Sequence, residues 1–181
     1  MLTLPHTVEG PIFSMLRMET PLGAMVAIAD DSAMYLLEFA DRPMLATQMK
    51  TLQKRYGCSV VPGVNEVFLL LERELSDYFA GSLREFSVPL DARGTEFQVA
   101  VWERLRKIPY GETLSYGAMA ADLGFPDAQR AVGKTNGDNR HAIVVPCHRV
   151  VRSDGSLCGY GGGLWRKKRL LELEQGQATM L

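Results

Sequence analysis

Ser115-Tyr116-Gly117-Ala118-Met119-Ala120-Ala121-Asp122-Leu123-Gly124-Phe125-Pro126-Asp127-Ala128-Gln129-Arg130-Ala131-Val132-Gly133-Lys134-Thr135-Asn136-Gly137 reads as two helices of about two turns each around a break. Ser115 can cap the first, Tyr116 to Leu123, which stops at Gly124-Phe125-Pro126. Asp127 can cap the second, Ala128 to Asn136, which stops at Gly137. Two short helices joined by a few residues with a glycine match the helix-turn-helix pattern. The second carries Arg130 and Lys134 at i, i+4 on one face, with Ala131 beside them. The plain interpretation is an ordinary helix corner with a solvated basic face, and charge distribution tips the balance. Net charge is −1, but residues 1–94 hold 8 Lys+Arg against 12 Asp+Glu, and residues 95–181 hold 12 against 9. A local basic face binds phosphate even when the whole chain is near neutral.

Downstream lies Ile143-Val144-Val145-Pro146-Cys147-His148-Arg149-Val150-Val151. The β-branched run predicts a buried strand end, and Pro146 should stop its pairing. Cys147 then falls on a bend with a titratable ring next to it. A buried structural thiol is the ordinary fate of a cysteine. A thiol with a pKa of ~8.5 becomes a nucleophile at neutral pH when a base or cation adjoins it. A histidine base in turn needs a group to hold its tautomer. The last helix offers Glu172 and Glu174, of which only one can face inward, and spacing alone does not choose. Between them, Gly155 to Gly163 holds five glycines in nine positions, suited to a wall that a ligand approaches closely. Arg166-Lys167-Lys168-Arg169 reads as a solvated basic face, and Cys58 and Cys158 as bystanders.

Upstream, Ile12 to Met18, Ala24 to Ala29 and Ala33 to Phe39 alternate with turn signals as an antiparallel meander. Residues 43–56 form an amphipathic helix with Met44, Met49, Leu52 and Tyr56 near one face, closed by Gly57. A short strand, Cys58 to Val61, and a helix, Asn65 to Phe79, follow. Residues 81–95 are irregular, and Thr95 with Gln98 then opens a capped helix to about Lys107. The expected fold class is α/β (α+β). A small N-terminal domain with an antiparallel sheet and helices (1–90) precedes a mostly helical C-terminal domain with the helix-turn-helix (91–181).

An apolar fraction of 46%, with no long uninterrupted apolar run, gives a globular chain without a membrane span. Met1 to His6 lacks the pattern of a signal peptide, and three unpaired cysteines fit a reducing, cytoplasmic setting. The three histidines and three cysteines lack metal-ligand spacing, so no metal is expected.

Pro146-Cys147-His148-Arg149-Val150 resembles the active-site motif of the O6-alkylguanine-DNA alkyltransferases, the methylated-DNA-protein-cysteine methyltransferases. The resemblance extends over 94–174, through Gly94-Thr95-x-Phe97-Gln98-x-x-Val101-Trp102, Ile108-Pro109-Tyr110-Gly111-Glu112-Thr113, Ser115-Tyr116, Arg130-Ala131-Val132-Gly133, Asn136-Gly137-x-Asn139, Gly159-Tyr160-x-Gly162-Gly163 and Leu170-Leu171-x-x-Glu174. It implies a monomer that binds double-stranded DNA containing O6-alkylguanine and flips the damaged base into a pocket. It also implies an irreversible transfer of the alkyl group to Cys147, with no cofactor and a single turnover. O4-alkylthymine is a further substrate on that basis.

The resemblance assigns the thiol's base to His148 and its orienting carboxylate to Glu174 rather than Glu172. It gives base rotation and proton donation to Tyr116, and the space left in the stack to Arg130. Ser115, Ala131 and Lys134 fall on the DNA side. Asn139 ties helix to active-site turn, and Val150, Tyr160 and Gly161 belong to the pocket. Two positions depart from the family pattern: Arg140 follows Asn139 where proline is usual, and Gly161 stands where serine is usual. The first predicts a looser hinge or an added phosphate contact, the second a roomier pocket. The alternative is a damage-sensing DNA-binding protein without transfer, against which Cys147 and the full N-terminal half both count.

Overall fold

The computed structural model describes residues 10–177, so the opening Met1 to His6 stretch lies outside them. The meander forms as expected: β1 (Ile12–Met18), β2 (Met25–Ala29) and β3 (Met34–Phe39) pair antiparallel in sequence order. A helix, α1 (Leu45–Tyr56), crosses over to β4 (Ser59–Pro62), which pairs parallel to β1 and gives the order β3-β2-β1-β4. Gly57 closes α1 in the left-handed conformation, at φ 60°. Met44 lies outside α1 and is exposed, while Leu52 and Gln48 are its buried residues. On one side of the sheet Phe13, Ile28, Tyr35 and Leu36 pack with Leu52 of α1. On the other, Met25, Ala27 and Leu37 pack with Val67, Phe68 and Leu71 of α2 (Glu66–Phe79). Cover on both faces explains why every residue of β3 is buried, where a half-exposed strand would alternate.

In the second half, α3 (Glu96–Arg106) opens with a complete capping box: Gln98 N–H donates to Thr95 Oγ1 at 3.2 Å, and Thr95 N–H to Gln98 Oε1 at 3.0 Å. A two-residue strand, β5 (Leu114–Ser115), leads into α4 (Tyr116–Asp122), and Ser115 caps it by accepting from Ala118 N–H at 3.0 Å. The second helix, α5 (Gln129–Gly137), has Ala128 at its cap and no side-chain cap bond, contrary to the role expected of Asp127. The break closes through its backbone, Ala128 N–H to the Phe125 carbonyl at 2.8 Å, and the helix therefore begins one residue late. Beyond the active-site turn, β6 (Val150–Val151) pairs parallel with β5 and α6 (Leu164–Glu174) ends the described fold.

The expected strand at Ile143 to Val145 is a tight turn instead. Val144 N–H reaches the Ala142 carbonyl and Val145 N–H the His141 carbonyl, so the backbone bonds are local. Ile143 sits at φ 71°, a costly conformation for a β-branched residue. Burial explains why it is tolerated: Ala142, Ile143 and Val144 insert into the apolar cluster under the N-terminal sheet, beside Leu170 and Leu173 of α6. One residue earlier the chain adds to the sheet edge, Leu37 N–H to the Arg140 carbonyl at 2.7 Å and Ala142 N–H to the Leu37 carbonyl at 2.8 Å. The N-terminal sheet thus holds the segment that carries Cys147.

This edge has a pH consequence. His141 is fully buried with Nε2 at 3.1 Å from the Met34 carbonyl, and burial, helped by Arg140, lowers its pKa from 6.5 to about 4. The folded state then binds fewer protons than the unfolded chain. Stability is full above pH 6.5 and falls as pH drops toward 4, by roughly 3 kcal/mol. Urea midpoints measured between pH 7 and 4 should show this loss, and His141→Gln should flatten part of the slope.

Candidate active site

Pro146 ends the buried turn, and Cys147, His148 and Arg149 form one turn of 3-10 helix behind it. All three side chains are buried. The turn aims His148 and Arg149 at the end of α6. There Glu174 accepts five bonds: from His148 Nε2 at 2.7 Å, Arg149 Nε at 2.8 Å and Nη2 at 3.0 Å, Tyr78 O–H at 2.7 Å and Gly111 N–H at 3.2 Å. Burial opposes its charge, but His148 and Arg149 outweigh that and hold the carboxyl well below the usual range. Burial lowers the pKa of His148 despite its carboxylate partner. The resting pair is therefore a neutral ring donating Nε2–H to an anion. Its Nδ1 lone pair is left free, buried and without a partner among the described residues. Burial likewise pushes the Cys147 thiol up, so it rests protonated and needs a base to react.

Cys147 opens onto a cavity of about 420 Å3. Tyr116, Gly133 and Asn136 line it from the helix-turn-helix, and Cys158, Tyr160 and Gly161 from the glycine-rich loop. Buried polar atoms without partners among the described residues, Asn136 Oδ1 and Tyr160 O–H, stand ready to bond a polar guest. Asn139 braces the turn, donating to the Val145 carbonyl at 2.9 Å and accepting from His141 N–H at 2.9 Å. Arg130, Ala131 and Lys134 are exposed on α5, and Lys134 bonds Asp138 at 2.8 Å.

Several expectations change. Arg166 and Lys167 are buried rather than solvated. Arg166 binds the Leu22 carbonyl and Asp41, and Lys167 Nζ the Val150 and Cys158 carbonyls at 2.5 and 2.8 Å. Only the other two of the four basic residues face outward, where Lys168 and Arg169 pair with Glu172. Val150 lies off the cavity wall, with its carbonyl taken by Lys167 and its N–H by the Cys147 carbonyl. Cys158 lines the cavity and is no bystander. Arg140 is buried rather than turned outward: it donates to the Arg93 carbonyl at 2.6 Å and lies 5.7 Å from the centre of the Trp102 ring. Nor is the space beside Gly161 open, because a Cβ there would run into the Arg42 guanidinium.

Arg149, Asn136, Tyr78, Arg42 and Glu38 received no role from the sequence. Asn136, which donates to the Cys147 carbonyl at 3.2 Å, and Arg149 stand inside the quoted motifs, so a signal existed. Tyr78, Arg42 and Glu38 come from the other half, and nothing local announces them.

A helix-turn-helix set over a buried cysteine, with a histidine on the same turn and a carboxylate clamped to it, is the arrangement of a DNA-binding protein with a thiol at its centre. Residues 96–176 match the family described as 6-O-methylguanine DNA methyltransferase, DNA binding domain. The chain is 48% identical over 153 residues to the Mycobacterium tuberculosis (strain ATCC 25618 / H37Rv) methylated-DNA--protein-cysteine methyltransferase, covering 82% of this chain and 91% of that one. It is 41% identical over 164 residues to the Salmonella typhimurium protein of the same name, covering 87% and 93%. Among solved structures, Mycobacterium tuberculosis OGT in complex with DNA superposes with a TM-score of 0.77 at 42% identity, over 92% of this chain and 94% of that chain. The protein belongs to the methylated-DNA-protein-cysteine methyltransferase family.

Proposed function

We infer that the protein repairs O6-alkylguanine in duplex DNA by moving the alkyl group to Cys147, once per molecule. The observation that carries this is the buried His148–Glu174 pair, with His148 on the same turn as Cys147, which lines a cavity whose other wall is the helix-turn-helix. DNA lies along α5, and Arg130 enters the stack as the lesion rotates into the cavity. Lys134, Ser115 and Ala131 meet the backbone near it. The His148 Nδ1 lone pair takes the Cys147 proton through a water. The sulfur attacks the alkyl carbon in line, a C–S bond forms, and the C–O bond breaks with its electron pair going to guanine. Tyr116 supplies a proton to the ring as guanine leaves. Burial keeps the Tyr116 hydroxyl protonated, as a donor must be. Glu174 holds the ring and stabilises its charged form.

A thioether has no hydrolytic exit, so one protein serves one lesion as a monomer and needs no cofactor. Three free thiols are suited to the reducing cytoplasm. The division at residue 90 separates a sheet that supports the active-site turn from the part that binds DNA. Intact mass after incubation with DNA bearing O6-methylguanine should show one methyl on Cys147 at one equivalent. Its single-turnover rate should fall as acid protonates His148, at a pH below the ordinary histidine range. Tight binding without transfer, the behaviour of a damage sensor, would overturn the proposal.

A further inference from the structure

The cavity beside Cys147 is partly built by the N-terminal half. Glu38 of β3 and Arg42 just beyond it both line the cavity. They form an i, i+4 ion pair in which Glu38 is 1% exposed and the Arg42 side chain 9%. Arg42 also donates Nη2–H to the carbonyl of Gly137, the last residue of α5, at 2.6 Å. Its guanidinium lies over Gly161, where any side chain would collide with it. Position 161 can therefore be only glycine while Arg42 holds this place.

We propose that Arg42 is a specificity-determining residue. Its guanidinium, pinned between Glu38 and Gly137, fills the space a side chain at position 161 would take and limits the size of alkyl group that fits beside Cys147. Charge-assisted bonds on two sides make this wall stiff. Swinging Arg42 away to admit a larger group would leave Glu38 buried without its partner. The Arg42 Nε–H is itself buried and unpartnered among the described residues, so hydrocarbon pressed against it gains nothing that offsets the lost room. A methyl group needs none of this space, whereas a benzyl ring does. The smallness of Gly161 is thus cancelled by a residue 119 positions earlier in the chain.

This role rests on the alkyl-transfer reading, and one experiment separates the two. Single-turnover transfer is measured on duplex DNA carrying O6-methylguanine or O6-benzylguanine, with wild type, Arg42→Ala, and Arg42→Ala combined with Glu38→Gln. The double variant removes the stranded carboxylate, so an effect shared by both variants comes from space and not from a buried charge. The benzyl-to-methyl rate ratio should rise about tenfold or more in both variants. Wild-type transfer with an unchanged or lower ratio in the variants overturns the selector role alone. Loss of transfer from both substrates in both variants also overturns it, because Arg42 would then be a strut. Wild type that leaves Cys147 unmodified by either substrate overturns the alkyl-transfer reading and this role with it.

Discussion

Glu174→Gln should slow alkyl transfer to Cys147 by roughly 10²- to 10⁴-fold and lower stability by about 3–5 kcal/mol. Both effects follow from one carboxylate with five donors around it. Glutamine has the same shape, but its amide nitrogen accepts nothing and must face at least one of those donors. Arg149 then keeps its charge in a buried site without a counter-ion, which is the costly half of a broken ion pair. His148 loses the acceptor that fixes its tautomer, and Nδ1 is no longer held as an unprotonated lone pair. Urea unfolding reports the first effect and single-turnover mass spectrometry the second. Wild-type transfer by the folded variant would remove Glu174 from the relay.

Arg130→Ala acts at the other end of the reaction. Flipping a base out of a duplex costs a few kcal/mol, so losing the residue proposed to hold the vacated space should slow transfer from duplex DNA by about 10²-fold. Arg130 is exposed on α5, and its removal should change stability by no more than about 0.5 kcal/mol. The free base O6-methylguanine never sits in a stack and is the control. An equal loss on that substrate would sink the flipping role and make Arg130 a general contact.

Elements whose signals lie within a few residues were legible in the chain. The meander, the Thr95–Gln98 capping box, the Ser115 cap and the Gly57 stop each depend on neighbours, and each formed. Pro146-Cys147-His148 marked the candidate nucleophile because a rigid proline before a thiol and an imidazole is a local arrangement. The failures share one cause. Ile143 to Val145 has the composition of a strand, but tertiary burial forces it into a turn with Ile143 at positive φ. Arg166 and Lys167 look like solvent-facing charges until Leu22, Asp41, Val150 and Cys158 supply partners from distant segments.

By itself, then, the sequence determined the helix-turn-helix, the α+β class and the address of the cysteine that lines the cavity, since propensity, capping and turn chemistry act over a few residues. Spacing alone did not choose between Glu172 and Glu174 and the resemblance pointed to Glu174; the tertiary structure supplies the reason, because α6 turns one carboxylate toward His148 and leaves the other to Lys168 and Arg169. It also decided that the cavity has a wall from the N-terminal half. Arg42, paired with Glu38, reaches Gly137 and Gly161 in a fold where the sheet edge at Leu37 bridges to His141, and no spacing along the sequence encodes a contact made that way.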